Sequence, residues 1–276
     1  MKHTQRQRIR WILAWFVIIA ATSTNLATAQ VNGSFGDYPS YDAMEAHMDE
    51  LFARYVDETG FVNYETWWRD PGDLLILDNL VRALAGVNPA DSDTYFASEA
   101  DALAYWINAY NLFAIHEVLQ RYPVDTIRPT RLLIPERSFF TEQRYQIWND
   151  IYSLDELENS ILRVDFDEPR FHFAINCASF SCPLLIDEAY KGESLDAQLD
   201  AQARAFINDP LRNQFDTATN TAQVSKIFDW FEEDFEDVGG VVSYLAQFAE
   251  GDALEVLSSD DLTLRYMTYD WSLNSQ

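Results

Sequence analysis

The residues best equipped for chemistry sit in one stretch, His172-Phe173-Ala174-Ile175-Asn176-Cys177-Ala178-Ser179-Phe180-Ser181-Cys182-Pro183, which holds both cysteines and one of the four histidines. A thiol attacks or ligates only as a thiolate, so an imidazole or an electropositive backbone beside it gives it reactivity. A second group of polar residues interrupts an apolar run: Asn108 and Asn111 in Tyr105-Trp106-Ile107-Asn108-Ala109-Tyr110-Asn111, with His116 further on. Buried amides are costly unless hydrogen-bonded, so these asparagines must at least organise backbone.

Three readings of the cysteines stand side by side. Cys177 and Cys182 joined as a disulfide close a small loop, which is structural or, where strained or exposed, redox-active. A free Cys177 thiolate is instead a nucleophile for acyl transfer or hydrolysis, with His116 or His172 taking the proton and Asn108 or Asn176 steadying the oxyanion. A zinc site would draw on His116, His172, Cys177 and Cys182, but their spacing matches none of the standard finger patterns, so neither a metal nor another cofactor is expected. A non-enzymatic structural or ligand-binding protein, whose motifs only build a core, is the further class.

The elements that must position these groups follow from apolar spacing. Met44, Met48, Leu51, Phe52 and Tyr55 recur at helical intervals over residues 41–55, and residues 74–84 give a second helix after Asp70-Pro71-Gly72. Ser98 and Asp101 resemble a capping box and open a helix to about Arg121, where Tyr122-Pro123 stops it. That helix is apolar nearly all round and is expected to be central and buried. On it Asn108 and His116 lie about 80° apart by the 100° step, so both are expected to face one pocket, with Asn111 about 140° from His116.

Beyond it the pattern predicts a strand at 145–148, a helix from Ser153 to about Arg163, a buried strand at 171–176 and a helix at 194–207. Strands at 224–227 and 262–269 follow, with a helix at 241–248 between them. On a strand at 171–176, His172 and Asn176 face one side and Cys177 the other, so His172 meets the thiol only across a turn. Helices come first and most strands late. The expected class is α+β, a single domain with a long buried central helix on a mainly antiparallel sheet.

Composition bounds the setting. Lys2, Arg6, Arg8 and Arg10 precede the apolar run 11–21, and Ala27-Thr28-Ala29 fits a small-residue cleavage site. Residues 1–29 thus read as a secretory signal peptide and residues 30–276 as one secreted or periplasmic domain. The apolar run is shorter than the roughly 20 residues of a spanning helix, so no stable membrane span is expected after the leader is removed. The net charge of the chain is −26, becoming −30 without the four leader cations, which the leader balances with no acid. Nucleic acid and anionic membranes are poor partners for such a surface.

Four motifs carry a resemblance. Trp106-Ile107-Asn108-Ala109-Tyr110-Asn111 with His116, His172 to Ser179 with Ser181-Cys182-Pro183, Ser225-Lys226-Ile227-Phe228-Asp229-Trp230, and Tyr269-Asp270-Trp271-Ser272-Leu273-Asn274 are similar, in this order, to signatures of the domain of unknown function 547 family. The likeness covers about residues 61–274. It implies no established activity, cofactor or substrate; some eukaryotic relatives join this domain to glutaredoxin-like or leucine-zipper segments, which points to thiol chemistry or to scaffolding. A distant likeness to papain-like cysteine hydrolases is also drawn, although here the cysteine does not come first in the chain.

Overall fold

The computed structural model describes residues 37–88, 95–128 and 139–276. The leader assigned to residues 1–29 lies outside them.

The helix Glu99–Arg121 forms the axis of the fold. The Ser98 hydroxyl accepts the Asp101 N–H at 3.2 Å, and Glu99 and Asp101 place negative charge at the positive end of the helix dipole. Arg121 complements the other end, and Tyr122 takes the extended backbone that a following proline favours. Residues 102–115 are buried without a break, so the helix needs cover on every side. That cover comes from the helices Tyr64–Trp68, Pro71–Leu84 and Leu195–Ile207 and from the turn of wide helix Leu157–Leu162.

The class is α+β as expected, with small sheets. β1 (Tyr145–Ile147) pairs antiparallel with β2 (Asp150–Tyr152). A second sheet, in the order β3-β4-β5, joins β3 (Gln214–Asp216) antiparallel to β4 (Thr221–Val224), which runs parallel to β5 (Thr263–Tyr266). Strands of three or four residues offer too little surface to floor a 23-residue helix, so helices surround it instead. β4 stops at Val224 rather than running to residue 227, because the Ser225 hydroxyl accepts the Ile227 N–H and turns the chain into the helix Ile227–Trp230.

The strand expected at 171–176 is absent. Pro169 opens a tight 3-10 helix, Pro169–Phe173, and the Glu168 carboxylate accepts the Arg170 N–H at its start. A short apolar run reads alike as buried strand or buried helix, and here Pro169 decides. Phe173 belongs to a core cluster with Phe206, Phe228, Phe235 and Tyr244, whereas Ala174 and Ile175 belong to the cluster around the central helix. The chain therefore crosses from one core to the other just before Cys177.

Candidate functional site

The loop after that crossing is held by side-chain amides. The Asn111 side chain donates to the Ala174 carbonyl at 2.9 Å and accepts the Asn176 N–H at 2.7 Å. Asn176 donates to the Pro183 carbonyl at 2.6 Å and accepts from the Ala178 N–H and the Asn274 amide, at 2.8 and 3.1 Å. These bonds fix Ala178 in the left-handed region, at φ 64°, a conformation costly for a residue with a Cβ. The C-terminal segment runs alongside: Phe180 N–H donates to the Ser272 carbonyl and Asn274 N–H to the Ala178 carbonyl, at 2.7 and 3.0 Å. Arg212, itself buried, donates to the carbonyls of Cys182 and Phe180 from behind.

Within this frame Cys177 and Cys182 are joined as a disulfide. Cys177 is half-buried and Cys182 buried, and both line a pocket of about 170 Å³. Two donors converge on the Cys182 sulfur, the Cys177 N–H at 2.9 Å and the Tyr269 hydroxyl at 3.2 Å, and the same hydroxyl lies 3.3 Å from the Cys177 sulfur. The Ser179 hydroxyl in turn donates to the Tyr269 oxygen at 2.8 Å. Burial raises the Tyr269 phenol well above its ordinary range, so it stays a proton donor.

The same pocket is lined by His172, Tyr110, Glu158 and Asp155. Burial keeps the His172 imidazole below its usual pKa and therefore neutral. Burial also opposes ionisation of Asp234, but hydrogen bonds from His172 and Arg163 outweigh it and hold that carboxyl at about 2. Asp234 can then only accept, so His172 carries its proton on Nε2, 2.8 Å from Oδ2, and Arg163 grips both carboxylate oxygens at 2.6 and 2.7 Å. His172 Nδ1 is left as an acceptor 3.9 Å from a Glu158 oxygen. Burial, then the charge of Asp155, pushes Glu158 up to about 7. Glu158 stands in the wide-turn segment Leu157–Leu162, a helical irregularity often found at functional sites.

Of the residues singled out from sequence, Cys177, Cys182 and His172 meet in this pocket, with Asn176 underneath them. His116 does not line this pocket: its ring meets Asp78 at 3.2 Å and Tyr145 at 3.3 Å. Asn108 binds the backbone of Tyr190 and the Tyr41 hydroxyl, and Asn176 binds the Pro183 carbonyl, the Ala178 N–H and the Asn274 side chain, so both organise chain around the site. The helical step had set Asn108 and His116 toward one pocket; their partners lie on different elements. Among the described residues no group of three or more His, Cys, Asp or Glu side chains is arranged to hold a metal ion, and no helix is long and apolar enough to cross a membrane.

Sequence reasoning missed Glu158, Asp234 and Tyr269 as members of the site. Glu158 had left a trace: it interrupts the buried face made by Leu154, Leu157, Ile161 and Leu162. Asp234 lay in an acidic run, Glu232-Glu233-Asp234, with nothing local to mark it.

No curated protein and no solved structure matches the chain. Residues 96–207, which span the central helix, Glu158, His172 and both cysteines, match the family model described as Protein of unknown function, DUF547, the family that the motifs at 106–116 and 172–183 resemble.

Proposed function

We propose that Cys177 and Cys182 form a thiol–disulfide exchange centre. The observation that carries this reading is the pair of hydrogen-bond donors on the sulfur of the buried Cys182, in a disulfide whose other residue, Cys177, is half-buried and lines the same pocket. An incoming thiolate attacks Cys177 Sγ, the S–S bond breaks, and Cys182 departs as a thiolate stabilised by the Cys177 N–H and the Tyr269 O–H. A second substrate thiolate attacks the substrate sulfur of the mixed disulfide and releases Cys177. Two thiols leave as one disulfide, and their two electrons and two protons end on the cysteine pair. A secreted or periplasmic domain over residues 30–276, with residues 1–29 as its leader, suits this chemistry, because disulfides persist in such compartments.

The test is trapping. In Cys182→Ser, a dithiol peptide oxidised to its disulfide should leave a stable mixed disulfide on Cys177, seen by mass spectrometry as the added peptide mass. Native protein should show no free thiol when denatured and two after reduction. A Cys182→Ser protein that traps nothing, or a native disulfide that dithiols cannot open without denaturant, rules out an exchange centre.

His172, which lines the same pocket and is hydrogen-bonded to Asp234, favours a second reading, in which reduced Cys177 acts as a hydrolytic nucleophile of papain-like kind. It requires that reduced protein, and not oxidised protein or Cys177→Ser, hydrolyse an activated ester.

A further inference from the structure

The pocket has an aromatic wall that disulfide exchange does not need. Trp230, Tyr269 and Trp271 meet ring against ring, with centroids 4.8 Å apart for Trp230 and Tyr269, 4.5 Å for Tyr269 and Trp271, and 5.6 Å for the two indoles. Trp230 keeps 44% of its surface exposed, so packing alone does not account for an indole there. Phe231 extends the lining and stacks on His172 at 4.3 Å.

Two carboxyl groups share the lining. Asp155 and Glu158, three residues apart on one helical stretch, both border the pocket. Ring faces are electron-rich and a cation beside the two carboxyl groups favours their ionised forms, so this lining attracts a cation. An anion meets repulsion, and a neutral apolar ligand offers the carboxyl groups no counter-charge. Arg163, whose guanidinium lies 5.2 Å over the Phe231 ring, does not reverse this field, since its charge is matched by the two oxygens of Asp234. His172 is held neutral, and the net charge of −26 draws cations toward the surface in general.

We infer that the pocket binds an organic ammonium group, with Trp230, Tyr269 and Trp271 as its aromatic wall and Asp155 and Glu158 as its counter-charges, and that the thiols exchanged at Cys177 are therefore aminothiols. The second half rests on the exchange reading; the first does not. For an aminothiol such as cysteamine, one thiolate attacks Cys177 and expels Cys182, and a second attacks the mixed disulfide and departs as the diamino disulfide. The ammonium group never reacts and serves only to seat the thiol.

Two measurements on the full oxidised protein separate the two halves. The first is titration with choline, which has no thiol, followed by tryptophan fluorescence. A saturable change is expected, weakened about tenfold in Glu158→Gln and in Trp230→Ala, the scale of a desolvated cation–π contact plus one charge. The second is the rate at which cysteamine, 2-mercaptoethanol and 3-mercaptopropionate open the Cys177–Cys182 bond. Each rate is corrected for thiolate fraction and for the rate on a small-molecule disulfide. Cysteamine should lead by about tenfold, with choline as competitor, and 3-mercaptopropionate should trail. Choline binding with no reduction by any thiol keeps the ammonium site and removes the exchange reading. Equal corrected rates with no choline response overturn the ammonium site and leave exchange standing. A response to a neutral sugar or to 3-mercaptopropionate as large as that to choline overturns it as well.

Discussion

Asn108 binds both backbone groups of Tyr190 with one side-chain amide: its nitrogen donates to the Tyr190 carbonyl at 2.8 Å, and its oxygen accepts the Tyr190 N–H at 2.9 Å. One turn along the same helix, Asn111 repeats the device on Ala174 and Asn176. The two amides do for irregular chain what a neighbouring strand does for an edge, so a helix organises loops on two sides of the site.

Removing either amide should therefore be severe. In Asn111→Ala the Asn176 N–H and the Ala174 carbonyl lose their partner in a buried place, at about 1–3 kcal/mol each. A loss of about 3 kcal/mol or more, which is about 6–12 °C in Tm for a domain of this size, is the expected outcome in thermal unfolding. Asn111→Asp should be no milder, because a carboxylate facing the Ala174 carbonyl replaces the donor. A shift of only a degree or two in either variant would contradict the clamp.

The need for such clamps was visible in the sequence, but their targets were not. Asparagines within an apolar helix had to bond backbone, and that much follows from the cost of burying an amide. Tyr190 and Ala174 lie 82 and 63 residues away, and no local pattern reports so distant a pairing. The central helix, its cap at Ser98 and its stop before Pro123 were legible because each depends on adjacent residues. The segment 171–176 was misread because an apolar run has the same composition in a strand as in a buried 3-10 turn. The site combines His172 and Cys177 with their partners Asp234 and Tyr269, some 60 to 90 residues away in sequence, so only its cysteine edge could be read beforehand.

Tyr269→Phe isolates the leaving sulfur. The variant keeps the ring that stacks with Trp230 and Trp271 but loses the hydroxyl on Cys182. A hydrogen bond to a charged group contributes about 1.5–3 kcal/mol, so opening of the disulfide by a dithiol should slow by about tenfold or more. The melting temperature should move little. An unchanged opening rate would mean that the Tyr269 hydroxyl does not stabilise the departing sulfur.

Glu158→Gln should change how stability depends on pH. The Glu158 pKa is raised in the fold, from 4.5 to about 7. Below about pH 4.5 both folded and unfolded chains are protonated there, and the contribution is fully present. Between 4.5 and 7 the unfolded chain ionises first, so stability falls as pH rises and the loss is complete above 7. His172, lowered by burial, acts in the opposite sense, so the native curve alone is a mixture. The difference between Glu158→Gln and native protein should move toward the variant by about 3 kcal/mol from pH 4 to pH 8. Denaturant unfolding at the two pH values gives it directly, and parallel stabilities would show that Glu158 ionises normally.

Trp271→Ala tests whether the aromatic wall also belongs to the fold. The Trp271 ring touches Tyr269, Trp230 and Phe140, while its backbone carbonyl accepts the Thr126 hydroxyl at 2.6 Å and the Ile127 N–H at 3.2 Å. The backbone bonds survive truncation, so the variant should fold with its C-terminal segment still laid along residues 178–181. The lost contacts of a half-buried indole should cost about 2 kcal/mol, or about 4–8 °C in Tm. Choline binding should weaken in the same variant. A melt identical to the native one would assign Trp271 to the pocket alone, and a loss of stability with choline affinity intact would assign it to the fold alone.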